Sequence, residues 1–422
     1  MTNLVSNYTD NFAANRDNSL AYIDMLRGLA IVGVLLAHSM IGMSTAELRE
    51  LPMNLERILW AGRHGVALFF VVSAFTLTRS MYYRFNNECL PIRKYFLRRF
   101  FRIAPAYYFI LIITFLFGNG VTGYVNPKDV TLSWQDLTAH LFFVNGFFPY
   151  YTNDFLGVEW SVSTEVMFYM LLPIIYLWLV KVPTISKKIA KVSLLCLASI
   201  AIVLLWLVFS KAKFLHVLGD GFTSPVLDSW RYFFIANHLH EFAVGMTLWF
   251  VLNFKACIYS NKSTDRQADR QADRQTGRQA DRQTGRLALA ALVCAIILVA
   301  YTEDAINNYS RILSVGLLFF WGLSSALLIY VLDSLKPAKI GGMRVFTGLG
   351  KVSFSLYLVH FPIFLWLTNF TNIWKISGVP ELNFFIYLIV AFSLAYLLSL
   401  ILYFFIEKPG VELGRALIRR FL

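Results

Sequence analysis

A few side chains in this sequence are of types that do chemistry and lie where an idle one would be costly. Arg27 and His38 are separated by eleven helical steps within one long apolar block, so both point from one face, roughly 16 Å apart along the axis. An imidazole titrates near neutral pH, so His38 can act as a general base towards a hydroxyl. Glu165 lies one turn inside another apolar block, in the phrase Gly157-Val158-Glu159-Trp160-Ser161-Val162-Ser163-Thr164-Glu165. His238, His240 and Glu241 cluster in a third block, and His360 sits in the middle of a fourth. Each residue alone has a plain reading: an arginine that snorkels to lipid heads, or a histidine satisfied by a neighbouring helix. Several imidazoles and carboxylates on separate apolar segments favour instead a shared cavity holding water or substrate.

Arg98, Arg99 and Arg102 open a further apolar block, with Pro105 near its first turn. Arg99 and Arg102, at i and i+3, are neighbours on a helical face and could grip a phosphate together. Anchoring at the cytoplasmic end of a span accounts for the same cluster.

The elements that must position these groups follow from composition. Of 422 residues, 57% are hydrophobic and only 15% are charged, against roughly 25% charge in a soluble domain. The apolar residues come in blocks of about 20, the length of a membrane-crossing helix, and the alternating runs of a β-barrel are absent. The expected fold is an all-α bundle of about ten spans, at 20–41, 62–81, 103–119, 160–180, 192–210, 231–253, 287–301, 311–332, 352–371 and 383–405. Basic loops follow every second span: Arg79, Arg84, Arg93, Lys94 and Arg98 after the second, Lys181, Lys187, Lys188 and Lys191 after the fourth, and Lys336, Lys339 and Arg344 after the eighth. Those loops, and with them both termini, are expected in the cytoplasm. The net charge of +13 is therefore read as orientation and contact with anionic lipid heads, not as nucleic-acid binding. The organisation expected is a polar cytoplasmic segment at 1–19, a membrane domain at 20–410 and a short basic tail at 411–422.

Residues 120–159 form the longest loop, rich in aromatic and polar residues including His140, and are expected to cap the outer face. Asp265 to Arg286 is a four-residue repeat with no apolar side chain larger than alanine, read as a flexible cytoplasmic linker within 262–286. The first apolar block lacks a cleavage site and is expected to remain as an anchor. Cys89, Cys196, Cys257 and Cys294 share no metal-binding spacing, so neither a zinc site nor a disulfide frame is expected.

Six phrases, in order along nearly the whole chain, resemble the integral-membrane acyltransferase 3 family, bacterial O-acyltransferases of surface polysaccharides and related molecules. They are Ile23-Asp24-Met25-Leu26-Arg27-Gly28-Leu29-Ala30 with His38; Phe69-Phe70-Val71-Val72-Ser73-Ala74-Phe75; Arg98-Arg99-Phe100-Phe101-Arg102-Ile103-Ala104-Pro105; Trp160-Ser161 through Glu165 to Phe168-Tyr169; Val352-Ser353-Phe354-Ser355-Leu356-Tyr357-Leu358-Val359-His360-Phe361-Pro362; and Glu407-Lys408-Pro409. Ala74 stands where the family usually has glycine, and Val359 where it usually has an aromatic residue. Some relatives carry an esterase-like domain after the last span. This chain ends soon after it, so transfer is expected to finish in the membrane domain or pass to a separate partner.

The resemblance implies acetyl-CoA as co-substrate, no bound cofactor or metal, and a carbohydrate or glycolipid acceptor met at the bacterial inner membrane. It implies that Arg27 and His38 are the catalytic signature and that the Arg99-x-x-Arg102 motif matters; charge and chemistry then suggest donor phosphates on Arg98, Arg99 and Arg102, His38 as the base, and Glu165 beside them orienting the base or the acceptor. Asp24, Ser161, Tyr357 and His360 are expected in support. Direct transfer and an acyl-enzyme route both fit these residues, and the acceptor and oligomeric state are not legible. A transporter or flippase of lipid-linked sugar is the alternative. It would use the same intramembrane polar groups, but the two halves of the chain show no clear internal repeat of the kind many transporters carry.

Overall fold

The structure is a computed structural model. It describes residues 21–40, 52–117 except 86, 132–182, 185–209, 230–261 except 231, 289–300 except 291 and 298, 311–335, 343–368 and 378–422. The 1–19 segment, the 265–286 repeat, Lys336 and Lys339 lie outside the described residues, as do 120–131 of the long loop.

The described residues form helices and no strand: α1 (Ala21–Ser39), α2 (Met53–Ala61), α3 (Gly65–Phe85), α4 (Pro91–Phe117), α5 (Trp134–Leu141), α6 (Trp160–Val180), α7 (Ile185–Phe209), α8 (Leu239–Asn261), α9 (Arg311–Leu335), α10 (Met343–Lys351), α11 (Ser353–Thr368), α12 (Pro380–Leu402) and α13 (Lys408–Phe421). A single π-helical turn, Tyr403–Glu407, joins the last two. Among the described residues five helices are long and apolar enough to cross a membrane. The bent pair Arg344–Lys351 and Ser353–Thr368, at 77°, makes a sixth. Ala190–Trp206 and Phe319–Asp333 are shorter apolar stretches. The described residues are thus those of an all-helical membrane protein, with about five or six evident spans among them.

Differences from the expected spans come from helices that extend beyond their apolar core. The third expected span, 103–119, belongs to a helix that starts at Pro91. Pro105 is therefore inside α4, not near its first turn. The expected sixth span begins later, because a 3-10 turn at Ile235–Asn237 precedes α8 and leaves His238 just outside it.

Close helix approach fixes the α1 face that carries Arg27. Side chains are absent where α1 crosses α10: a Cβ on Gly28 would overlap the Phe346 carbonyl, and one on Gly350 would overlap the Asp24 carbonyl. The 132–159 stretch does cap the bundle. Ser133 accepts the Asp136 N–H and starts α5, Tyr108 donates to the Leu141 carbonyl at 2.6 Å, and Trp230 donates to the Gly146 carbonyl at 3.0 Å. The cap ends in Gly157, whose φ of +75° disfavours a side chain and whose missing Cβ leaves room for the Phe361 ring.

Candidate active site

Helices α1, α3, α4, α6 and α11 enclose a cavity of about 90 Å³. Arg27, Arg99 and Arg102 supply its cations, and Glu165 its carboxylate. Ser161 and Tyr357 form another part of the wall. Glu165 is fixed by the Ser73 hydroxyl, which donates to it at 2.5 Å. Arg99 lies over the Tyr169 ring, 5.9 Å from its centroid.

The arginines in and around the cavity differ in their partners. Arg102 pairs with Glu407, which also accepts from the Ser355 hydroxyl. Arg98, one helical step from Arg99, points elsewhere and pairs with Glu88 at 2.7 Å. Among the described residues neither Arg27 nor Arg99 has a carboxylate within ion-pairing distance, and the Nε of Arg99 is buried without a hydrogen-bond partner. A cavity that holds two guanidiniums without a directly paired carboxylate is suited to an anionic ligand.

His38 and His360 do not line this cavity; they adjoin its Tyr357 wall. Their rings lie nearly coplanar and edge to edge, with centroids 5.1 Å apart and His38 Nδ1 2.8 Å from His360 Nε2. The other nitrogen of His360, Nδ1, is 2.7 Å from the Tyr357 carbonyl. A carbonyl only accepts, so His360 carries its proton on Nδ1 and presents a lone pair at Nε2. His38 must then donate from Nδ1, which leaves His38 Nε2 unprotonated in the neutral pair. One backbone carbonyl thereby sets the tautomer of both rings.

Tyr357 links cavity and histidines. Its hydroxyl donates to the Val158 carbonyl at 3.0 Å and accepts from Ser161 at 2.7 Å, and its ring centroid is 5.5 Å from that of His360. Phe361 meets His38 edge-on at 5.1 Å. Asp24 lies outside the cavity lining, on the part of α1 packed against α10.

His238, His240 and Glu241 form a separate buried group. His238 Nδ1 lies 3.1 Å from Glu241, its Nε2 lies 3.1 Å from the Tyr232 carbonyl, and its ring packs between Trp160 and Phe70.

Two carboxylates without an assigned role in the sequence reading prove central. Glu407 joins Arg102 of α4 to Ser355 of α11; the phrase Glu407-Lys408-Pro409 was a signal without a partner. Glu159 is fully buried and accepts the backbone N–H groups of Phe155, Leu156 and Val158 at 2.7 to 3.0 Å. It organises the strip of cap that offers Val158 to Tyr357. His140 Nε2 stands 3.5 Å from Glu159, and Asp136 is on its other side at 3.8 Å.

A family model described as an acyltransferase domain matches residues 20–404. The chain is similar to the O-acetyltransferase OatA of Staphylococcus aureus, at 25% identity over 407 residues, covering 92% of this chain and 56% of that protein. It is similar also to the peptidoglycan O-acetyltransferase OatA of Listeria monocytogenes, at 23% identity over 380 residues, covering 84% and 51%. The chain thus spans about half the length of the curated relatives it matches. No solved structure matches it.

Proposed function

The chain belongs to the acyltransferase-domain family, and from that premise we propose that it is an O-acetyltransferase of the bacterial inner membrane, moving acetyl from acetyl-CoA to a hydroxyl of a cell-envelope or lipid-linked carbohydrate. The observation that carries this reading is the histidine pair, which leaves one imidazole nitrogen, His38 Nε2, with a lone pair, on a ring joined through His360 to the Tyr357 wall of a cation-lined cavity.

A sugar hydroxyl is a weak nucleophile at neutral pH. His38 Nε2 takes its proton as the oxygen attacks the thioester carbonyl. The new C–O bond forms, the C–S bond breaks, and the departing thiolate recovers the proton from the imidazolium. His360 holds the His38 ring throughout and changes no bond. The unpaired guanidiniums of Arg27 and Arg99 attract the phosphates of the donor, and the separation of Arg27 from His38 leaves room for the thin arm of the thioester between them. Glu165, held by Ser73, and Ser161 offer hydrogen-bonding groups on the cavity wall to the acyl end or the acceptor.

His38→Gln tests the reading, because glutamine keeps size and hydrogen bonding and removes the base. Acetyl-CoA binding should persist in purified, monodisperse protein, while acetyl transfer falls by about 10² to 10⁴-fold. Near wild-type transfer by that variant would make His38 a packing residue and sink the mechanism.

A further inference from the structure

We propose that Arg84 and Arg98 form a second anion subsite, for a terminal phosphomonoester of the donor, with the Glu88 carboxylate holding the place of the phosphate when no donor is bound. This rests on the reading of the donor as a phosphorylated acyl thioester.

Next to the main cavity lies a smaller one of about 10 Å³, bordered by Arg84, Tyr95 and Arg98. The two cavities share Leu77 and Arg99 in their walls, so they adjoin at the guanidinium that has no carboxylate. At the small cavity one carboxylate bridges two cations: Glu88 Oε1 is 3.1 Å from Arg84 Nη1, and Oε2 is 2.7 Å from Arg98 Nη2. This is the geometry in which two guanidiniums hold a tetrahedral oxyanion, with a carboxylate in its place.

The resident anion is displaceable. Glu88 is in the short connection between α3 and α4, where Leu90 takes a φ of +49°. Its side chain is 23% exposed and that of Arg84 48% exposed, so solvent reaches both, whereas Glu407, on Arg102, is fully buried. A donor whose diphosphate rests near Arg99 extends its ribose side towards one of these neighbours. The two guanidiniums differ little in exposure, 19% for Arg98 and 28% for Arg102, so the carboxylates decide: Glu88, partly exposed, can leave its arginines without stranding a fully buried charge, and Glu407 cannot.

Acetyl-CoA carries a 3′-phosphate on its ribose; acetyl-dephospho-CoA differs only in lacking it. Binding of both to the full-length protein in detergent, by calorimetry, is the measurement. The wild type should favour acetyl-CoA by about tenfold or more, as expected for charge-assisted hydrogen bonds. Arg84→Gln and, separately, Arg98→Gln should bring the two affinities to within about threefold by weakening acetyl-CoA alone. Glu88→Gln removes the competitor and should tighten acetyl-CoA while leaving the dephospho form unchanged. The Arg84 side chain is about half exposed and pairs with a partly exposed carboxylate, so its variant has little reason to misfold. If the wild type binds neither thioester, the donor reading fails and takes the subsite with it. If both bind and the ratio is the same in all three variants, the donor reading stands and the Arg84–Glu88–Arg98 group is only an ion pair that fastens the turn.

Discussion

A histidine held by a second histidine is placed without adding charge. A carboxylate in the position of His360 would stabilise an imidazolium strongly, but an isolated anion between apolar helices is costly to keep. The neutral ring supplies direction instead, and the Tyr357 carbonyl fixes which nitrogen does so. His360→Asn keeps an acceptor oxygen for His38 Nδ1–H, whereas His360→Leu keeps bulk and no acceptor. We expect the leucine variant to lose about 10 to 10² in kcat with acetyl-CoA affinity unchanged, and the asparagine variant to recover much of that loss. Initial rates and binding on the same preparations check this; equal activity of the two variants would leave His360 no orienting role.

At the scale of elements, the cap and the motif helices meet at Val158, so the order of the cap reaches the histidines through Tyr357 and Phe361. Burial pushes the Asp136 carboxyl up to about 6, with the Glu159 carboxylate adding to the rise and His140 opposing it. A carboxyl raised in the folded state binds its proton more tightly there than in the unfolded chain. Its contribution to stability is complete below the ordinary carboxylate range and is lost as pH rises through about 6. The midpoint of thermal unfolding should therefore fall between pH 4.5 and 7.5, and Asp136→Asn should flatten that fall; an unchanged slope would place the pH dependence elsewhere.

Much of this architecture was legible in the sequence, for definite reasons. Arg99 and Arg102 share a cavity because i and i+3 share a helical face, and the apolar blocks locate α1, α3 and α6 closely. Helix periodicity also separates Arg98 from Arg99 by about 100°, so Arg98 faces Glu88 and not the main cavity. Glu407 and Glu159 escaped assignment because nothing local announces their partners. Arg102 and Glu407 are 305 positions apart, and Glu159 is engaged by backbone N–H groups that every sequence possesses. The helix extensions were missed because hydropathy reports where a segment is apolar, not where its hydrogen bonding begins.

For the molecule as a whole, the cation-lined cavity and the histidine pair are built from segments on both sides of residues 262–286, whose sequence holds no apolar side chain larger than alanine. Replacing Asp265 to Arg286 by a short flexible linker should leave acetyl transfer within about twofold of wild type, since such composition has no face to pack. Loss of transfer in a normally inserted protein would give its arginines a function.

Because Arg27 and His38 belong to one unbroken helix, α1 is a ruler. Rigid tilting or sliding of that helix moves both marks together, and their separation of roughly 16 Å stays constant. A donor is thereby gauged by length: one whose arm falls short can touch the cation or the imidazole but not both. Its binding energy is then spent at one mark and withheld from the reacting carbonyl at the other.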